Sequence, residues 1–187
     1  MTAPTGAKVW TWQEALQLPD GERYEVINGE LRERNMSSLS SAISMVLGGL
    51  LREWMKGSGK RGWLTGEAGG FTIFPWAEGD VRMPDVAFTS RERAGAMPER
   101  GWFAVSPELA VEIVSPNDRF SDAEDKARDY IRAGVDLVWV VVPNTESIQV
   151  WRKDGSRSVL QSGETLSGED VLVGFSVAVA DLFAELD

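Results

Sequence analysis

The chain has 187 residues, 43% of them hydrophobic, enough to bury most of its surface as one compact domain but too few for two full ones. It contains no histidine and no cysteine, which excludes serine–histidine triads, imidazole general bases, imidazole or thiolate zinc sites and thiol nucleophiles. A net charge of −10 opposes long-range attraction of a polyanion, so nucleic-acid binding would need local basic clusters.

Residues 1–8 read as a loose tail ahead of a domain spanning 9–187, and Trp10 to Leu18 as a short helix stopped by Pro19-Asp20-Gly21. A β-hairpin follows: Tyr24 to Ile27 and Glu30 to Arg32 flank Asn28-Gly29, the dipeptide best able to take both positive φ angles of a type I′ turn. Between residues 38 and 55, Leu39, Ile43, Val46, Leu47, Leu50, Leu51 and Trp54 recur every three or four positions, a core-facing helical stripe ended by Gly57-Ser58-Gly59. Strands are expected at Gly62 to Leu64, Gly70 to Phe74 and Arg82 to Phe88, as an antiparallel meander, and a mobile charged connection over 90–107.

The pattern then changes. Leu109 to Val114 is an apolar strand, Ser121-Asp122-Ala123-Glu124 reads as a capping box for a helix running to about Ala133, and Leu137 to Val142 is an unbroken strand with the composition of a sheet centre. Strand, helix and strand in that order make a βαβ unit. Ser147 to Arg152 and Ser158 to Gln161 follow as strands, with a closing strand and terminal helix beyond. No run approaches the roughly 18 apolar residues of a membrane span, and the absence of cysteine fits a reducing cytoplasm, so a cytoplasmic protein is expected.

Two carboxylates stand out because each interrupts an apolar segment: Asp85 in Met83-Pro84-Asp85-Val86, and Glu112 between Val111 and Ile113. Buried charge is costly unless something neutralises it. If the two strands are neighbours, both carboxylates, with the carbonyl of Ile113 as a third oxygen, converge on one hard divalent cation; Mg²⁺ needs only one or two carboxylates beside water and phosphate. Lys126 lies in the second turn of the following helix, from which its ammonium can swing back, with Tyr130 one turn later on the same face. Each residue also has an ordinary reading, as a turn acid, an edge-strand charge or one lysine on a solvated helix. Arg91, Arg93 and Arg100, or Lys56, Lys60 and Arg61, could form a positive rim around such a pocket, and Trp76 and Trp102 a homodimer patch or a base-stacking contact.

The order Pro84-Asp85, Glu112-Ile113-Val114, Lys126 resembles the PD-(D/E)XK nuclease superfamily, and specifically its Uma-two family. Tyr24 to Leu31, Gly66 to Gly70, Pro84 to Phe88, Val111 to Pro116, Lys126 to Tyr130 and Gly134 to Pro143 resemble that family's blocks in their order. The resemblance implies an α/β restriction-endonuclease-like mixed sheet flanked by helices, with Asp85 and Glu112 binding Mg²⁺ or Mn²⁺ and Lys126 acting on the attacking water or the scissile phosphate of DNA. Val114 stands where the superfamily's lysine usually follows the acid, so Lys126 takes that role from the next helix. The early helix begins Met36-Ser37-Ser38-Leu39-Ser40-Ser41, hydroxyls where relatives often carry a histidine or glutamate. Glu67 or Glu25 could compensate, Glu25 being read as a hairpin surface residue. The competing expectations are a nuclease fold without turnover that binds a protein or nucleic acid, and a hydrolase of a small phosphorylated metabolite.

Overall fold

The computed structural model describes residues 8–34, 37–99, 101–116 and 119–184. The expected tail (except Lys8), Met36 and Arg100 lie outside them. A capping box at Thr11 and Glu14 starts helix α1 (Trp12–Ala15), which turns at Leu16 rather than continuing to Leu18. Strands β1 (Tyr24–Ile27) and β2 (Glu30–Glu33) form the expected hairpin, with Ile27 opposite Glu30 and Asn28 and Gly29 at φ 52° and 76°. Asp80 clamps this turn from outside, accepting bonds from the Asn28 and Gly29 amides at 2.6 and 3.0 Å.

Helix α2 (Ser38–Ser58) is capped by Ser37 and Ser40 and ends at Gly59, whose φ of 70° suits a residue without a Cβ. Its stripe faces inward as the spacing requires: Ile43, Leu47 and Leu51 are fully buried, each such burial being worth about 1.5–3 kcal/mol.

The main sheet has six strands in chain order: β3 (Gly62–Gly66), β4 (Val86–Ser90), β5 (Leu109–Ile113), β6 (Leu137–Val142), β7 (Ser147–Arg152) and β8 (Arg157–Leu160). Only β5 and β6 are parallel, joined over the sheet by α4 (Phe120–Arg132). The remaining pairs are antiparallel, so the sheet is mixed and flanked by helices, as expected. Alternation divides the core. Leu109, Val111, Ile113, Leu137, Trp139 and Val141 pack with α2, whereas Ala110, Val138 and Val140 pack with Ala123, Ala127 and Tyr130 of α4. Strands β9 (Thr165–Ser167) and β10 (Ser176–Ala178) pair separately, before the short helix α5 (Asp181–Ala184).

Several expectations are corrected. Residues 70–74 form no strand; Phe71 makes only single bridges, to Arg82 and Phe103, because Pro75 and the following turn end the extended run. β4 begins at Val86 rather than Arg82: Pro84 has no amide to donate, and the Met83 amide goes to Glu25. Helix α4 begins one residue before Ser121, with no side-chain cap at Arg119, and Ser121 bonds its neighbour Asp122 instead. The 90–107 connection contains helix α3 (Arg91–Ala94) and is fastened by Arg93, which pairs with Glu108 and Asp136 and bonds the carbonyls of Ser106 and Pro107.

Candidate functional site

The register of β4 and β5 positions the two acids. Val86 lies opposite Val111, and the Asp85 amide donates to the Val111 carbonyl at 2.9 Å. One further step along both strands puts Asp85 opposite Glu112, on one face of the sheet. That face lies under α4, whose alanines at 123 and 127 let the helix sit close, so that Lys126 and Tyr130, one turn apart, both reach Glu112.

Glu112 is 6% exposed. Its Oε1 accepts from the Tyr130 hydroxyl at 2.9 Å and its Oε2 from Lys126 Nζ at 2.8 Å. Asp85 Oδ2 accepts from the Ile113 amide at 2.6 Å and Oδ1 from Arg34 Nη2 at 3.1 Å. Lys126 bridges to a third acid, Glu25 Oε2, at 3.0 Å, while Glu25 Oε1 accepts from the Met83 amide at 2.6 Å. Glu25 is therefore a buried member of the cluster and not a hairpin surface residue: its strand sits on the 81–83 segment, which removes it from solvent.

The electrostatics follow from crowding. Burial raises the Asp85 carboxyl to about 7, with Glu112 adding to the rise and Lys126, the Ile113 amide and Arg34 opposing it. Burial likewise raises Glu112, opposed by Lys126 and reinforced by Glu25. Burial pulls Lys126 down, but Glu112 and Glu25 more than reverse this, so it is held as an ammonium above the ordinary lysine range. Tyr130 is raised well above the usual phenol range by burial and then by Glu112, and stays a donor.

These groups line a cleft of about 420 Å³ with Glu25, Arg34, Arg82, Asp85, Glu112 and Lys126 on its walls. Arg82, fully buried, fixes the wall by bonding the Val26 carbonyl at 2.8 Å, Asp80 at 3.0 Å and Asp129 of α4 at 2.9 Å. Among the described residues, Arg91, Arg93, Lys56, Lys60 and Arg61 do not line the cleft as the expected positive rim. Arg93 is tied to Glu108, just before the start of β5, and Arg91 lies over Trp63 past the far end of β4, whereas the acids lie at the opposite end of both strands. Trp76 and Trp102 also have partners: Arg132 stacks on Trp76 at 3.9 Å, and Trp102 lies against Gly70.

The structure thus brings together Asp85, Glu112, Ile113, Lys126 and Tyr130. Glu67 stands apart, lining a separate cavity with the rest of the 66–70 turn, although its carbonyl accepts from Arg34. Ser37 and Ser40 cap α2 and meet Ser115 rather than lining the cleft. Reading the sequence missed Arg34 and Arg82. Arg82 had a signal, a charge flanked by Val81 and Met83; Arg34, in a charged stretch with Arg32 and Glu33, had none.

As to a cation, the donor set suits a hard one. Glu112 raises the proton affinity of Asp85 and Glu25 that of Glu112, and each oxygen that accepts one bond from the protein keeps a second lone pair.

The sequence profile of the Uma2 family, described as "Putative restriction endonuclease", matches residues 12–180. The chain is also similar to a solved structure from Anabaena variabilis ATCC 29413, described as a "putative nuclease belonging to DUF820". The two share 21% identity and a TM-score of 0.79, over 95% of this chain and 99% of that one. That likeness establishes the fold. No curated protein matches the chain.

Proposed function

The chain belongs to the Uma2 family, and from that premise and the geometry of the cleft we propose that it hydrolyses DNA phosphodiester bonds with the help of a divalent cation. The observation that carries the proposal is the facing pair Asp85 and Glu112 in one cleft, with the Lys126 ammonium 2.8 Å from Glu112. Asp85, Glu112 and the Ile113 carbonyl would hold Mg²⁺ or Mn²⁺, which when bound activates a water and offsets charge on the phosphate.

In the reaction a water oxygen bonds to phosphorus while the bond from phosphorus to one deoxyribose oxygen breaks. The departing oxygen leaves with a proton, giving a phosphate monoester and a free hydroxyl. Lys126 is held as an ammonium, so its part is to orient the water or to offset charge on the phosphate, not to accept a proton. Tyr130 donates to Glu112 and keeps that carboxylate in place for the shared site.

A second reading is a nuclease fold that binds a partner without turnover. It is favoured by the ordinary hydrogen-bonded partner on each oxygen of both acids, and by the lack among the described residues of three or more acids grouped as a cation site. Plasmid incubated with Mg²⁺ or Mn²⁺ separates the two: nicking by the wild type that is abolished in Asp85→Ala and Glu112→Ala supports hydrolysis. Activity that survives both substitutions refutes the assignment.

A further inference from the structure

We propose that Arg34 is the phosphate-binding group of this site, releasing Asp85 to hold a non-bridging oxygen of the scissile phosphodiester when a divalent cation takes the carboxylates. The proposal rests on the hydrolytic reading above. Arg34 follows directly on β2, and its amide is fixed to the Arg23 carbonyl at 3.0 Å. Its side chain, 9% exposed, reaches the cleft and has two partners, the Glu67 carbonyl and Asp85 Oδ1 at 3.1 Å. Two of a guanidinium's five N–H donors suffice for these, which leaves a planar fork able to meet a phosphate.

The other cations of the cleft are differently placed. Arg82 is fully buried, its Nη1 and Nη2 bonded to a carbonyl and two acids and its Nε enclosed without a partner, and it makes no contact with Asp85. Lys126 is shared between Glu112 and Glu25. Arg32 is exposed and paired with Glu30 in its own strand. Arg34 alone among these combines contact with Asp85 and spare donors.

Charge balance points the same way. Seven acids, Asp85, Glu112 and Glu25 among them, line the cleft against four cations, Lys126 and Arg34 among them, an excess of three negative charges when all are ionised. A single divalent cation leaves that excess at one negative charge, so a phosphodiester's own negative charge still needs a cation beside it. Without Arg34 the excess is larger by one negative charge. Arg34 therefore offsets negative charge at the place where a phosphodiester would lie beside Asp85.

The test compares wild type with Arg34→Met and Arg34→Lys in two readouts: Mn²⁺ affinity by calorimetry and the turnover of plasmid nicking. Removing a cation from Asp85 should tighten Mn²⁺ binding several-fold in Arg34→Met while nicking turnover falls about 100-fold, with Arg34→Lys recovering part of it. Weaker Mn²⁺ binding in parallel with lost nicking would mean that Arg34 only positions Asp85, and nicking within three-fold of wild type would mean that it does not touch the phosphate; either overturns the proposal. If Arg34→Met does not fold by circular dichroism, the same readouts on Arg34→Lys and Arg34→Gln decide between these outcomes. Wild-type protein that neither binds Mn²⁺ nor nicks instead fails the hydrolytic reading itself, and the role of Arg34 falls with it.

Discussion

Replacing Lys126 by methionine tests whether the acid cluster is held together by one ammonium. The lysine lies 2.8 Å from Glu112 Oε2 and 3.0 Å from Glu25 Oε2. At an effective dielectric of about 20 each contact carries roughly 5–6 kcal/mol of Coulomb attraction, much of it offset by desolvation. What the substitution exposes is the cost of buried acids without a counter-charge, about 3–5 kcal/mol for a broken buried pair. That cost depends on pH in a fixed direction. Without the ammonium, the Glu112 and Asp85 carboxyls, already raised in the folded protein, rise further above their unfolded values. The folded chain then binds more protons than the unfolded chain from the unfolded carboxyl pKa upward, and stability falls as pH rises through that window. Urea unfolding should show Lys126→Met destabilised by about 3–5 kcal/mol near pH 8 and by no more than about 2 kcal/mol near pH 5. A penalty that is equal at both pH values, or under about 1 kcal/mol at the higher one, would refute this account of the cluster.

Further outcomes follow from the same contacts. Asp85→Asn in chelator-treated protein should gain about 2–3 kcal/mol relative to wild type between pH 5 and pH 8, because the wild-type carboxyl, raised to about 7, holds its proton when folded and loses it across that interval; parallel urea curves at the two pH values check it. Arg82→Ala strands Asp80 and Asp129 and leaves the Val26 carbonyl without its guanidinium donor, a loss of about 3–5 kcal/mol measurable by thermal or urea melts. Tyr130→Phe removes one bond to a buried carboxylate and should cost about 1–3 kcal/mol, with the fold intact by near-ultraviolet circular dichroism.

Much of the frame is legible in local pattern. The hairpin at Asn28-Gly29, the α2 stripe and the βαβ unit each rest on periodicity or turn chemistry that tertiary contacts reinforce. The segment from 70 to 85 is not legible this way: its extended stretches are broken by Pro75 and Pro84 and pair by single bridges to distant residues. In the cluster, Asp85 and Glu112 draw attention because they interrupt apolar strands, but that they face each other depends on the β4–β5 register, which a reading of one strand at a time does not give. Glu25 carries the same signal, a carboxylate beside Val26 and Ile27, yet a hairpin can turn either face outward; packing against 81–83 decided it. Arg34 could not be found from sequence, since its role depends on a fold that brings the end of β2 to the 66–70 turn and to Asp85.

The most direct test is a crystal of the wild-type protein soaked in Mn²⁺, with data collected for the anomalous signal of manganese. The account predicts one peak between the carboxylates of Asp85 and Glu112, within bonding distance of the Ile113 carbonyl. Anomalous density elsewhere, or none at this cleft at millimolar Mn²⁺, would contradict it.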